Sequence, residues 1–284
     1  MAQGGINTDG GAQPVDLQRE DAVRSCHAAQ AAVLDARAQQ ETAERNWREA
    51  IRPIVKPTPA EVRAAKERLE YKEGLVHVAV AGVSGSGKSS LVNALRGLRN
   101  RDEGAAPTSS SRVTTSTIAR FPDPDPARPF VWYDVPGAGT LEVPEWQYFT
   151  DQGLYIFDCI IVLFDTRLTA TDIALLRGAA RFTIPTYIVR SKALQHISNL
   201  AIDISEDGDD DGTSPPVFQR AREQYVRASH ASVTKNLEAA NLVGERVFLV
   251  DKDTLVKVVK GVPAQDAIDE HDLVKALLDR SGRR

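Results

Sequence analysis

Leu75–Leu95 reads LVHVAVAGVSGSGKSSLVNAL, and this stretch decides the fold of the 284-residue chain. It opens with a short apolar run rich in β-branched residues, which predicts a buried parallel strand. A Gly- and Ser-rich segment follows, and an apolar pattern with helical spacing resumes at Leu91. The intervening residues, Gly82–Ser89, have the spacing G-x-x-x-x-G-K-S of a phosphate-binding loop between a strand and a helix.

The residue types in this loop suit a polyphosphate. Glycines allow the backbone N–H groups to surround an anion, and the helix that follows adds unpaired N–H groups and its positive dipole end. Lys88 is predicted to contact the β- and γ-phosphates as a catalytic residue, and the Ser89 hydroxyl to bind Mg²⁺. The alternative, an ordinary Gly/Ser turn, is disfavoured by the strand before it and the helix after it. The predicted phosphate-binding residues are Gly82, Ser84, Gly85, Ser86, Gly87, Lys88, Ser89 and Ser90.

Composition is that of a globular protein with no strong charge bias. The net charge is −4 and the sequence pI is near 5.8, so no nucleic-acid partner is predicted. Cys26 and Cys159 fall in a predicted helix and a predicted strand, which favours free thiols in a reducing compartment. No apolar run resembles a signal peptide or a membrane span, and Ala2 excludes N-myristoylation. We therefore expect a cytoplasmic protein.

The amino-terminal part is predicted to consist of a disordered tail, residues 1–14, and a helical appendage, residues 15–73. Within the appendage, an Ala-rich seam with steps of three and four runs from Asp16 to Arg52. A helix packed on the chain's own globular body is favoured over an intermolecular coiled coil, because the Ala side chains bury little area. A second helix begins at the capping box Thr58–Glu61 and runs to about Tyr71.

Residues 74–284 alternate between strand and helix patterns, which predicts an α/β domain with a mostly parallel, doubly wound six-stranded sheet. Strands are predicted at 75–81, 113–121, 129–134, 157–164, 185–190 and 246–250, and helices at 88–97, 143–152, 171–181, 217–240 and 267–279. Only a Pro-rich turn joins the second and third strands, so the second is expected to be an antiparallel edge strand.

An acidic run occupies residues 203–214, and part of it matches the opening of a calcium-binding loop. The twelfth position of such a loop would be Phe218 rather than Glu, and no helix is predicted to lead into it. A solvated surface loop is therefore the favoured interpretation.

A second phosphate-related motif, Asp134-Val135-Pro136-Gly137, ends the third predicted strand. Here Asp134 is predicted to hold Mg²⁺, and the Gly137 N–H to contact a γ-phosphate. In the polar loop 104–114, Thr108 is the candidate for a second hydroxyl on Mg²⁺ and for a catalytic role, with Thr114 as the alternative.

With both motifs in place, the chain resembles the G domain of the interferon-inducible immunity-related GTPases, a P-loop NTPase fold. The segments that carry the resemblance are GVSGSGKSSLVNALRGL, EGAAPT, FVWYDVPGAGT, EWQYFTDQGLYIFD, FDTRLTATDIALLR and YIVRSK, within residues 75–192. The resemblance implies a dynamin-like GTPase that binds GTP or GDP with Mg²⁺, forms a homodimer through its nucleotide face and often associates with intracellular membranes. Carried over, Ser89, Thr108 and Asp134 are the metal-binding residues.

The chain also departs from the family pattern. Where the family's guanine-reading element ends in Lys-x-Asp, this chain has Ser191-Lys192-Ala193-Leu194, so the carboxylate is missing. Ser191 and Lys192 remain candidate nucleotide-binding residues, with Asp251 or Asp253 as candidate replacements for the acid. Loss of a charge-assisted contact is expected to weaken base discrimination by about tenfold to a few hundredfold.

Hydrolysis is the other function in question. No Gln follows Gly137 to orient the attacking water, and Arg112 stands where the family carries Glu. Arg112 is a candidate finger across a dimer, the alternative being a solvated side chain. The chain ends after its last predicted helix, so membrane targeting by the family's carboxy-terminal helical region is not carried over. Two functions remain: a slow GTPase switch stimulated by dimerisation, or a nucleotide-binding scaffold without turnover or base selectivity. A small-molecule kinase fits poorly.

Overall fold

A computed structural model describes residues 57–108, 117–137, 145–206, 215–242 and 246–282. The chain divides into two units, Met1–Lys56 and Pro57–Arg284, and all the described residues belong to the second. Several predicted features lie outside the described residues: the tail, the Ala-rich seam, Cys26, Arg112, Thr114 and the acidic residues from Asp207 onward.

In the described part of the chain, six strands form one sheet in the order β2-β3-β1-β4-β5-β6. The strands are β1 Val76–Ala81, β2 Ala119–Pro122, β3 Phe130–Asp134, β4 Cys159–Phe164, β5 Thr186–Arg190 and β6 Val247–Leu249. Only β2 is antiparallel to its neighbour, β3, and all the other pairs are parallel. The predicted mixed sheet with an antiparallel edge strand is confirmed. β2 begins at Ala119, later than the predicted 113, because Thr117 and Ile118 are not paired.

Helices cover both faces of the sheet, as a doubly wound fold requires. They are α1 Pro59–Arg68, α2 Lys88–Leu95, α3 Glu145–Asp151, α4 Ala170–Arg181, α5 Ala193–Glu206, α6 Pro215–Ala239, α7 Lys252–Val259 and α8 Glu270–Ser281, with a 3₁₀ turn at Leu154–Ile156. Alternate residues of each strand face opposite layers. Val78 and Val80 join one apolar cluster with α2, α7 and α8, whereas Ala79 and Ala81 join the other with α1 and α3 to α6.

Two helices, α5 and α7, were not predicted. The signal for α5 was present, since Ala193, Ile197 and Ala201 are buried at helical spacing directly after β5. The helix α7 has only eight residues, and Asp251 marks its start by accepting from the N–H groups of Asp253 and Thr254.

The predicted boundary of the acidic loop was wrong. Residues 203–206 belong to α5, so a helix does lead into the acidic run. The helix continues there because Ser205 remains buried, while Asp203 lies on its exposed side. The rest of the run, through residue 214, lies outside the described residues, and its character stays a prediction.

Local signals at α1 and β4 behave as predicted. α1 begins with the predicted capping box, in which Thr58 and Glu61 each bind the other's backbone N–H. Cys159 is a free, fully buried thiol, and burial raises the pKa of this thiol to about 12. Among the described helices, none combines the length and the apolarity that a bilayer crossing demands.

A buried amide holds the loop that leads toward Thr108. Asn93, on α2, is fully buried, and its Nδ2 donates to the carbonyl oxygen of Ala106 at 3.0 Å and to Asn100 Oδ1 at 3.1 Å. In return, its Oδ1 accepts from the Ala106 N–H at 2.6 Å. Because these bonds link a helix to a segment with little regular structure, they fix the position of that segment.

We expect Asn93→Ala to lower the free energy of unfolding by about 2–3 kcal/mol, because it leaves the buried groups of Ala106 without partners. The measurement is denaturant unfolding. Asn236→Ala is the matched control, since Asn236 is exposed and bonds only to Ser232 on its own helix among the described residues. The control should stay within about 0.5 kcal/mol of wild type. Equal effects of the two substitutions would contradict this role for Asn93.

Candidate functional site

The site lies at the carboxyl ends of the central strands, where the chain leaves β1 and enters α2. At Gly82 the backbone φ is 143°, and a Cβ built there would lie 2.1 Å from the carbonyl oxygen of Leu163 in β4. Gly85 and Gly87 also have positive φ, at 81° and 96°. Glycine is therefore required at Gly82 by contact as well as by conformation, and the loop is held directly against β4.

Lys88 is a buried cation at the start of α2. The side chain is 8% exposed, and Nζ donates to the carbonyl oxygen of Val83 at 3.0 Å, across the loop. Desolvation lowers the pKa of Lys88, although the charges of Asp134 and Asp172 oppose that shift. A buried ammonium held inside a loop of backbone N–H groups creates a site of positive potential, which suits an anion.

Ser89 and Asp134 form a second polar element beside it. The Ser89 hydroxyl donates to Asp134 Oδ2 at 2.5 Å, and Asp134 is 4% exposed. The other carboxylate oxygen, Oδ1, is buried without a hydrogen-bond partner among the described residues. Burial raises the pKa of Asp134, against the opposing effects of Ser89 and Lys88.

These two side chains fit the divalent cation that the fold implies. Mg²⁺ prefers oxygen ligands and is commonly bound by one or two protein groups together with substrate phosphates. Among the described residues, no group of three or more His, Cys, Asp or Glu side chains is placed to hold a metal ion. Asp134 Oδ1 and the Ser89 hydroxyl are the oxygens that would hold Mg²⁺ here.

The loop that follows β3 touches the phosphate-binding loop. A Cβ built on Gly137 would lie 2.8 Å from Ser84 Cα, so a larger residue would push the two loops apart. The Tyr148 hydroxyl, from α3, donates to the carbonyl oxygen of Pro136, and burial raises the pKa of this phenol. The sequence placed Asp134 and Gly137 at this position, and the structure brings both to the same edge as Lys88.

On the other side of β1, the segment after β5 contacts the phosphate-binding loop through Ser191. The Ser191 hydroxyl donates to the carbonyl oxygen of Ser86 at 2.8 Å. Lys192 follows at a positive φ of 58°, and its Nζ donates to Asp165 Oδ2 at 2.6 Å. Partial burial works against ionisation of Asp165, but hydrogen bonds from Lys192 and His196 outweigh it and lower the pKa of the carboxyl group.

The remaining predicted site residues differ in their hydrogen-bond partners and exposure. Ser90 Oγ accepts from Asn100 Nδ2 at 3.0 Å, so this hydroxyl forms a hydrogen bond within the protein. Ser86 Oγ donates to the carbonyl oxygen of Val83 at 2.9 Å. Thr108 is exposed at the end of a described segment, and its role at the metal stays a prediction. Asp251 caps α7, so its carboxylate already accepts from backbone N–H groups.

Sequence reasoning missed Asp165 and His196. Asp165 comes directly after the buried strand β4, as Asp134 closes β3, so the same rule about strand ends would have found it. His196 carried no such signal, because the helix α5 that presents it was not predicted.

Comparison with models of protein families assigns the chain to a known family. The family model described as "Interferon-inducible GTPase (IIGP)" matches residues 60–257, which is well over half of the chain. The chain belongs to the interferon-inducible GTPase family. The resemblance predicted from the sequence is thereby confirmed, and the matched segment includes Gly82–Ser89, Asp134 and Lys192.

Named relatives match over shorter segments. Mouse (Mus musculus) "Interferon-inducible GTPase 1" is 36% identical over 133 residues, covering 46% of this chain and 32% of the relative. Mouse "T-cell-specific guanine nucleotide triphosphate-binding protein 2" is 34% identical over 125 residues, covering 44% of this chain and 29% of that protein. The matched part of this family member thus spans about a third of the length of these relatives.

Solved structures align with the chain at low identity. LeoA, a bacterial dynamin GTPase from ETEC, aligns with a TM-score of 0.49 at 14% identity, covering 78% of this chain and 38% of LeoA. Toc33 from Arabidopsis thaliana, solved with GDP and Mg²⁺, aligns with a TM-score of 0.48 at 17% identity, covering 79% and 92% of the two chains.

We expect Gly82→Ala to destabilise the folded protein much more than Gly74→Ala. Both glycines have positive φ, at 143° and 86°, but nothing lies within 4 Å of a Cβ at Gly74. Gly74→Ala should cost about 1–2 kcal/mol from backbone strain alone. The destabilisation by Gly82→Ala should exceed that cost by about 2 kcal/mol or more, because the new Cβ would clash with the carbonyl oxygen of Leu163. Denaturant unfolding compares the two variants, and equal costs would refute the close contact between the loop and β4.

Proposed function

We propose that this member of the interferon-inducible GTPase family binds a guanine nucleoside triphosphate with Mg²⁺ and hydrolyses it slowly, acting as a switch. The observation that carries the proposal is the buried Asp134 carboxylate, whose Oδ1 has no hydrogen-bond partner in the described part of the chain. A buried, unpaired carboxylate oxygen is costly unless it serves a ligand. Its neighbours Ser89 and Lys88 are the groups that a metal-bound triphosphate requires.

Each residue has a separate task in this proposal. The loop from Gly82 to Ser90 surrounds the phosphates with backbone N–H groups, and Lys88 exchanges its bond to Val83 for phosphate oxygens. Ser89, Asp134 and Thr108 hold the metal. When bound, Mg²⁺ neutralises charge on the β- and γ-phosphate oxygens. The Gly137 N–H, next to Ser84, contacts the γ-phosphate, so the loop after β3 responds to its presence.

Turnover is proposed to depend on a second copy of the chain. No Gln follows Gly137 to orient water, so one subunit alone lacks an evident group for that step. A homodimer formed through the nucleotide face would complete the site, with Arg112 as the candidate side chain from the partner. A cytoplasmic location with peripheral association to intracellular membranes is part of the same proposal, and it rests on the family resemblance.

A second function, a nucleotide-binding scaffold with relaxed base selectivity, is favoured by one observation. Leu194 occupies the position where the family has its base-reading acid, and its side chain is partly buried against the apolar cluster. A side chain in that place contributes packing and offers no hydrogen bond to a base. The scaffold retains the phosphate and metal contacts and differs from the switch in turnover.

Asp134→Asn separates metal binding from folding. Because burial raises the pKa of Asp134, the ionised carboxylate costs stability at neutral pH, and an amide removes that cost. We expect the nucleotide-free variant to have a Tm equal to or above wild type and to lose the Mg²⁺-dependent gain in GTP affinity.

Lys88→Ala should abolish binding of GTP, GDP and ATP. Thermal scans and calorimetry with and without Mg²⁺ measure these effects.

Asp123→Asn is the matched control. The Asp123 side chain is 1% exposed and accepts from Trp132 Nε1 at 3.0 Å, in a purely structural setting beside Arg128. The control should lower Tm and leave the Mg²⁺ dependence of GTP binding unchanged. A normal Mg²⁺ dependence in Asp134→Asn would refute the proposed metal site.

The concentration dependence of phosphate release distinguishes the switch from the scaffold. If dimerisation completes the site, GTP turnover per molecule should rise with protein concentration until the dimer saturates. A scaffold would bind GTP and show flat, negligible release over the same range. The measurement is a steady-state phosphate-release assay at several protein concentrations, with Lys88→Ala as the background.

A further inference from the structure

We propose that Asp165 is the positioning residue of the base site, where it holds the Lys192 ammonium beside the nucleotide base. Position 194 carries Leu in this chain, and its side chain has no charged group for this task. The inference rests on the proposed nucleotide-binding function and extends it to the nucleoside half of the ligand. Its basis is the cluster of Asp165, Lys192 and His196, termed the base-side cluster below.

The sheet order indicates which side of the phosphate-binding loop receives the nucleoside. β1 lies between β3 and β4, so its loop has one neighbour on each side. On the β3 side, Asp134 and Ser89 form the metal site, and metal ions bind near the terminal phosphates. The nucleoside must therefore extend toward the other side, where Asp165 follows the end of β4 and Lys192 lies two residues beyond the end of β5.

The base-side cluster is connected to the phosphate-binding loop. The Ser191 hydroxyl donates to the carbonyl oxygen of Ser86 and, at 3.3 Å, to that of Phe164. These bonds involve the residues immediately before Lys192 and Asp165. Lys192 is therefore one residue away from a contact with the loop, and Asp165 follows Phe164, which accepts from the same Ser191 hydroxyl.

Asp165 is held from two directions. Its Oδ2 accepts from Lys192 Nζ at 2.6 Å and its Oδ1 accepts from His196 Nε2 at 2.7 Å. Its backbone oxygen accepts from Arg190 Nε at 2.8 Å, and the same guanidinium donates to Ser229 Oγ at 2.6 Å. The carboxylate has little freedom to move, so it can fix the otherwise flexible Lys192 side chain.

The backbone of Lys192 supports a specific role. In the described part of the chain, four non-glycine residues have positive φ: Glu70, Thr183, Lys192 and Asn241. Three of these lie two residues after the last residues of α1, α4 and α6, where such a conformation commonly terminates a helix. Lys192 instead precedes α5, so helix termination does not account for its strain.

Side-chain exposure and existing partners distinguish the base-side cluster from Asp251 and Asp253, the other candidate acids. Lys192 keeps 42% of its side chain exposed, so its stem and ammonium remain accessible to a ligand, whereas Asp165 is 23% exposed. Asp251 caps α7, and Asp253, in the first turn of that helix, pairs with Lys252 at 2.7 Å. Base recognition in this chain therefore depends on a cation held by Asp165.

The test compares the affinity for GTP with the affinity for inorganic tripolyphosphate, both with Mg²⁺, by calorimetry on the full chain. The Kd for tripolyphosphate divided by the Kd for GTP isolates the contribution of the nucleoside. We expect Asp165→Ala and Lys192→Met each to reduce this ratio about tenfold, since each removes the fixed cation. The double variant should lose no more than either single one, because Asp165 acts through Lys192. Tripolyphosphate affinity should change less than about twofold.

Asp253→Ala breaks the Asp–Lys pair at the start of α7 and tests the alternative acid suggested by the sequence, and its ratio is expected to equal wild type. If Asp165→Ala does not fold, Asp165→Asn keeps the shape of the side chain and is expected to reduce the ratio in the same direction. An unchanged ratio in the Asp165 variants, additive losses in the double variant, or a loss in Asp253→Ala would overturn the inference alone. Wild-type protein that binds neither GTP nor tripolyphosphate would overturn the proposed function as well.

Discussion

The close contact between Gly82 and the carbonyl oxygen of Leu163 is the constraint on which the rest of the structure depends. It places the phosphate-binding loop against β4 while β1 remains paired with β3 on its other side. From this one position the loop can meet Asp134 on the β3 side and Ser191 on the β5 side. A side chain of any size at position 82 would separate these groups, so the site is a product of strand packing as much as of the loop itself.

The interior of the site is not arranged for stability. Lys88 and Asp134 are both buried, desolvation disfavours the charged form of each, and one carboxylate oxygen lacks a hydrogen bond within the described residues. Proteins commonly tolerate such costs where a ligand supplies the missing interactions. By contrast, buried Asn93 and Asp123 have their hydrogen bonds satisfied and serve the fold alone.

Sequence patterns predicted the sheet, its edge strand and the two phosphate-side motifs, because these depend on local spacing: an apolar strand, a Gly-rich turn and an acid at a strand's end. They did not predict the base-side cluster. Lys192 is predicted from the resemblance to the family's guanine-reading element, but its partner Asp165 lies 27 residues earlier, and only strand pairing brings the two together. His196 required α5, which was not predicted although Ala193, Ile197 and Ala201 have helical spacing.

The burial of Cys159 has a practical consequence. This thiol lies in the middle of the sheet, fully removed from solvent, with a pKa that keeps it protonated. Alkylating reagents attack thiolates, so the native fold protects this position. The chain contains two cysteines, Cys26 and Cys159, so a fluorophore or spin label that the native protein takes up through a thiol will be attached at Cys26. Without any engineering, such a label would be attached within the unit Met1–Lys56.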